Sequence, residues 1–129
     1  MVEVRKEVID WFSQEEEDLT TAEILFKAER FYACAFYCQQ AVEKALKALY
    51  LKQFRKNTPS HNLVELAREL KAEEAILKAC RLINPHYAVS RYPDAANAVP
   101  ADVYTESSAE NLLEEARRVL KWAEPQTMR

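Results

Sequence analysis

The chain contains no glycine. Glycine-rich phosphate loops, dinucleotide fingerprints and nucleophile elbows all need it for positive φ or close backbone approach, so none of them can be built here. Two-residue hairpins are handicapped for the same reason, which favours helices. Long apolar runs are also missing. The longest, Phe31 to Cys38, has eight residues, against the ~18 that a membrane span requires. The start, Met1-Val2-Glu3-Val4-Arg5-Lys6, has no apolar core and no small-residue cleavage site, so no secretory leader is expected. Cysteine is scarce and odd in number: Cys34, Cys38 and Cys80. They point to a reducing cytoplasm and to thiols used as small buried hydrophobes, with no metal site and no cofactor expected.

What is present is a chain of 129 residues, 49% hydrophobic and 30% charged. That is too apolar for disorder and too charged for a membrane bundle, and the length suits one domain over residues 1–129. The net charge of −3 predicts no polyanion partner, but its distribution is uneven. Residues 1–30 carry −5, residues 31–60 carry +4, residues 61–90 balance, and residues 91–129 carry −2. The acidic and basic segments can dock on each other or on a partner, and a local basic face attracts phosphate in spite of the net sign.

Helical periodicity dominates. Phe12, Leu19, Ala22 and Phe26 share one face of a helix predicted over residues 5–29, with the acids Glu15 to Asp18 expected mostly in solvent. Phe31, Ala35, Val42, Leu46 and Leu49 form a narrow arc on a second helix over residues 31–55; Gln39 falls inside that arc and needs a hydrogen-bond partner. After a loop around Pro59, with Thr58 or Ser60 as a helix cap, one or two shorter helices cover residues 62–70 and 72–83. Residues 84–104 hold Pro85, Pro93 and Pro100 and break the pattern. A stretch of that length without regular structure is usually functional or disordered, and its His86, Tyr87, Arg91, Tyr92 and Asp94 favour order and function. A last helix begins near Ser107, where Ser107 and Glu110 form a capping-box pattern, and ends at Pro125. The expected architecture is all-α: an up-and-down bundle of four to five helices with one long ordered loop before the last helix.

The string Ala35-Phe36-Tyr37-Cys38-Gln39-Gln40-Ala41-Val42-Glu43-Lys44-Ala45-Leu46-Lys47-Ala48-Leu49 resembles the signature of the HEPN domain family. So do Asp18-Leu19 with Ala22-Glu23, the Ser60-His61-Asn62-Leu63 turn, and Ser90-Arg91-Tyr92-Pro93-Asp94. The resemblance covers nearly the whole chain, in order. It implies a helical bundle that forms a homodimer. It also implies a separately encoded minimal nucleotidyltransferase as partner in a two-gene module of the toxin–antitoxin type, and binding of RNA or nucleotide phosphate.

Many family members are metal-independent ribonucleases whose arginine is followed, after four to six residues, by a histidine. Arg91 is the matching arginine, but the window after it holds Tyr92, Pro93, Asp94, Ala95, Ala96, Asn97 and Ala98. The family histidine is absent, and a catalytic set would have to combine Arg91 with a non-standard base such as His86. Arg55 and His61 match the spacing formally, at the wrong place in the chain. The expected ligand-binding residues are Arg91, Tyr92, Asp94 and Tyr87, with Glu43, Lys44 and Lys47 along a facing groove. Ordinary structural roles stand beside these: a salt bridge of Arg91 with Asp94, packing of the tyrosines, an i,i+4 pair of Glu43 with Lys47, a hydrogen-bonding role for His61 at a helix start, and Asp18 as a buried partner for a base from another helix. The alternative functions are an active ribonuclease and a non-catalytic scaffold for the transferase.

Overall fold

The computed structural model describes residues 4–128. Five long helices carry the fold: α1 (Val4–Lys27), α2 (Phe31–Phe54), α3 (Leu63–Glu69), α4 (Glu74–Ile83) and, after three single turns, α8 (Glu106–Thr127). The single turns are α5 (His86–Val89), α6 (Pro93–Ala96) and α7 (Pro100–Val103). No strand occurs among the described residues. The all-helical bundle expected from the periodicity is therefore present. The stretch expected as one irregular loop is a chain of three helical turns, two of which start at a proline, whose fixed φ suits a first helical position.

α2 is the central element. Its buried residues run almost round its circumference, from Cys34 and Ala35 through Gln39, Val42 and Leu46 to Leu51. It packs along α1 and α8 and touches α3, α4, α5 and α7. Leu63, Leu66, Leu70, Ile76, Ile83, Leu112, Leu113 and Val119 close the same core, while Leu77 is only partly buried. All three cysteines are free thiols inside it.

The helix ends differ from the sequence reading in three places. Asn62 caps α3 by accepting from the N–H groups of Val64 and Glu65; Thr58 and Ser60 instead brace the loop, accepting from the N–H groups of Ser60 and Asn62. The capping box of α8 is Thr105 with Ser108, two residues before the Ser107–Glu110 pattern. Both segments offer several short oxygen-bearing side chains, and chain geometry selects among them. Helix α8 also continues past Pro125 to Thr127, because the ring removes only one amide donor in a terminal turn. There Gln126 Nε2 donates to the Trp122 carbonyl, Thr127 Oγ1 to that of Ala123, and Lys52 Nζ to that of Gln126.

The acid run of α1 is a further correction. Glu15 and Asp18 are buried, and only Glu16 and Glu17 face solvent. Asp18 Oδ2 receives Lys44 Nζ at 2.6 Å, with Gln14 on its other oxygen. The acidic first helix and the basic second helix thus dock on each other through a nearly desolvated ion pair.

Candidate functional site

Arg91 follows the turn α5, its N–H bonded to the Ala88 carbonyl. Its exposed guanidinium lies over three aromatic rings: Phe36 of α2 at 4.9 Å, Tyr87 at 5.1 Å and Tyr92 at 5.0 Å from the ring centroids. Phe36 and Tyr87 also pack together, with centroids 6.1 Å apart. Stacking on ring faces orients the planar fork while leaving its donors open. No carboxylate pairs with it among the described residues; Asp94 lies in the first turn of α6 without an ion pair to it. A shallow depression beside it, about 290 Å³, is lined by Tyr32, Ala33, Phe36 and Ser90.

Tyr87 is also a wall of a larger groove of about 600 Å³. The other walls are Gln39, Gln40 and Glu43 of α2, His61 and Asn62 before α3, and Asn84, Pro85 and Ala88 around α5. Its lining is rich in carboxamides. Gln39 Nε2 donates to Glu43 Oε1 at 3.1 Å, Gln40 Nε2 donates to Gln39 Oε1 at 2.7 Å, and Asn84 Oδ1 accepts from the Leu63 N–H at 3.0 Å. The partner that Gln39 requires in its apolar arc is therefore Glu43.

Glu43 is the hub of the polar wall. Its Oε2 lies 2.8 Å from Lys47 Nζ and 3.1 Å from His61 Nδ1. Burial pushes this carboxyl up, but hydrogen bonds from Lys47, Gln39 and His61 outweigh it and hold the group below the usual carboxylate range. Lys47 Nζ also sits 2.8 Å from His61 Nδ1 and 5.5 Å over the Trp11 ring.

The structure brings together Arg91, Tyr87 and Tyr92 at one end and places Glu43 in the groove wall, with Lys47 paired to it outside the lining. It directs Lys44 elsewhere, to Asp18 and Gln40. His86 also turns away from the groove, although its neighbours Pro85 and Ala88 line it. Its Nδ1 lies 2.6 Å from the Tyr104 hydroxyl, and its carbonyl accepts from Ser90 Oγ. Burial lowers the basicity of His86 and pushes the Tyr104 phenol up to about 12, so both are neutral near pH 7. No hydrogen bond joins His86 to Arg91 among the described residues. The groove residues that sequence reasoning did not place there are Gln39, Gln40, His61 and Asn62; Phe36, likewise unplaced, lies under Arg91. His61 stood in a motif already singled out, but that it meets Glu43 of the preceding helix is a tertiary fact.

Comparisons with known proteins agree with one another. A family model described as the HEPN domain matches residues 8–126. The protein named "Putative toxin MJ1304" of Methanocaldococcus jannaschii is 29% identical over 119 residues, covering 82% of this chain and 78% of that protein. The crystal structure of TT1696 from Thermus thermophilus superposes with a TM-score of 0.86 at 29% identity, covering 92% of this chain and 97% of that one. The crystal structure of ST0689, described as an archaeal HEPN homologue, gives 0.82 at 30% identity, covering 93% and 97%.

Proposed function

The chain belongs to the HEPN domain family, and from that premise we propose that this single domain of residues 1–129 is a toxin-type HEPN protein that binds RNA or nucleotide phosphate in the groove beside Arg91. The observation that carries the reading is the exposed guanidinium held on three rings with no carboxylate partner among the described residues. Such a fork takes a phosphate in bidentate fashion, and Tyr87 and Tyr92 offer faces on which bases stack. The neighbouring carboxamides of Gln40, Asn62 and Asn84 suit the hydrogen-bonding edges of bases. The toxin name of the Methanocaldococcus relative supports the toxin-type role.

The working unit is a homodimer, partnered in the cytoplasm by a separately encoded minimal nucleotidyltransferase, as family membership suggests. Among the described residues no helix is long and apolar enough to cross a membrane.

The test is binding of a fluorescent single-stranded oligoribonucleotide at low salt, followed by anisotropy. Arg91→Ala weakens binding about tenfold or more and lowers the salt slope by about one. Arg91→Lys does not restore it, because an ammonium offers neither the fork nor the same stacking. Equal affinity of Arg91→Ala and wild type, or no binding by wild type, contradicts the reading.

A further inference from the structure

Resting on the reading that this groove takes RNA, we propose that it selects the keto bases uracil and guanine over the amino bases adenine and cytosine, because the carboxamides of its wall are all set to donate hydrogen bonds. A carboxamide has one accepting and one donating end, and its protein partners decide which end is left for a ligand. In this groove the oxygen end is taken each time. Asn62 Oδ1 accepts from the N–H groups of Val64 and Glu65 at 3.0 and 3.1 Å, and Asn84 Oδ1 accepts from the Leu63 N–H at 3.0 Å. A backbone N–H only donates, so neither side chain can turn round without setting donor against donor. The nitrogens, Nδ2 of Asn62 and Nδ2 of Asn84, have no hydrogen-bond partner among the described residues.

The glutamines are set by a relay. Lys44 Nζ donates to Gln40 Oε1 at 3.1 Å, Gln40 Nε2 to Gln39 Oε1 at 2.7 Å, and Gln39 Nε2 to Glu43 Oε1 at 3.1 Å. An ammonium stands at one end and a carboxylate, held by Lys47 and His61, at the other. The first only donates and the second, ionised, only accepts, so the direction of both amides between them is fixed. Reversing the relay would put the Gln40 nitrogen against the Lys44 ammonium and the Gln39 oxygen against the Glu43 carboxylate. Gln39 is buried, which makes such a mismatch costly. Gln40 is half-buried in the groove wall and keeps the second hydrogen of its Nε2 for a ligand.

The acceptors of the wall are occupied in the same way. Glu43 takes Gln39 on one oxygen and Lys47 and His61 on the other, and the Pro85 carbonyl takes the N–H groups of Ala88 and Val89. The outer nitrogen of His61 and the Tyr87 hydroxyl act in either sense and discriminate nothing. What the carboxamides offer a base is therefore three amide nitrogens. The N7 and O6 of guanine and the O4 of uracil present acceptors to them. Adenine and cytosine bring an exocyclic amine instead, a donor set against donors. Tyr87 stacks on any base and Arg91 holds phosphate whatever the base, so neither blurs the choice.

The experiment measures, by anisotropy at low salt, the affinity of the full chain for short labelled oligouridylate and oligocytidylate, and for strands carrying inosine or adenosine at alternate positions. Each pair exchanges a carbonyl for an amine at constant ring size. Wild type is expected to bind the carbonyl member of each pair about tenfold more tightly. Asn62→Asp and Asn84→Asp keep the oxygen that the backbone N–H groups need and replace the nitrogen by an acceptor, so melting curves show both variants folded. Each weakens binding of every strand through its charge, but takes the ratio of uridine to cytidine affinity down to about one or below, since a carboxylate accepts from the cytosine amine. Equal wild-type affinities within either pair, a preference for the amino member, or a ratio that neither variant moves overturns the selection and leaves the groove intact as a binding site. Absence of binding to every strand by wild type overturns the groove itself.

Discussion

Glu15 is the most exacting single residue in the fold. It is 1% exposed, and its Oε2 has no hydrogen-bond partner among the described residues. Burial, with Glu124 of α8 and the adjacent Glu16, pushes its carboxyl up to about 8. At neutral pH it is therefore a protonated acid in the core. The unfolded chain ionises this group near 4.5, the folded chain near 8. Below the first value both forms carry the proton and the group is indifferent. Between the two the unfolded chain has released a proton that the folded chain still holds, so stability falls with each step in pH, by at most about 1.4 kcal/mol per pH unit; above the second the loss is complete. Glu15→Gln keeps the shape and removes the titration. Its stability relative to wild type should climb steadily from pH 5 to pH 8.5 in urea midpoints; parallel curves would refute the buried acid. The sequence hid this residue because four acids in a row read as solvated. Yet positions 15 and 18 lie ~60° apart on a helix, on the arc that Ala22 also occupies, while 16 and 17 turn away. Asp18 was legible as a buried partner for a distant base because it borders the apolar stripe; the base is Lys44.

At the scale of elements, the absence of glycine is met by other residues in left-handed conformation. Glu29, Arg55, Lys71 and Asn97 have φ between 55° and 60°. After α1, the Arg30 N–H reaches the Leu25 carbonyl and the Glu29 N–H that of Phe26; after α3, Ala72 reaches Ala67 and Lys71 reaches Arg68. Both are Schellman closures with a charged residue where glycine is usual. A left-handed non-glycine residue costs ~1–2 kcal/mol, partly offset by the lower entropy of the unfolded chain. Lys71→Gly should therefore raise stability by about 0.5–1 kcal/mol, seen as a higher urea midpoint with the same slope; a lower midpoint would mean that the lysine side chain outweighs its backbone. Periodicity made the five long helices legible to within a few residues. The caps were less so, since Thr58, Ser60 and Asn62 are all competent and only the direction of the chain into α3 decides. The turns α5 to α7 were invisible to periodicity, each being four residues long.

For the whole molecule, the charge pattern resolves into internal pairing. Lys44 is held by Asp18, Lys47 by Glu43, and Lys52 donates to the Gln126 carbonyl. The basic second segment therefore turns two of its five bases inward, while Arg55 and Lys56 stay exposed, and Arg91 adds a guanidinium seated on rings with no carboxylate partner among the described residues. The family, the bundle and the loop bearing Arg91 could be read from the chain. Of the groove, Tyr87 and Glu43 could be read as well; its far wall of His61 and Asn62 could not, because it forms only where the approach to α3 and the turn α5 meet the same face of α2, far apart in sequence. Its most direct test is a titration of the isotopically labelled protein with a single-stranded oligoribonucleotide, followed by the backbone amide signals and the Arg91 side-chain N–H signal. The account predicts shifts at Phe36, Gln40, His61, Tyr87, Arg91 and Tyr92 that saturate together. Shifts gathered instead around Thr105 to Glu114, or none at any RNA concentration, would contradict it.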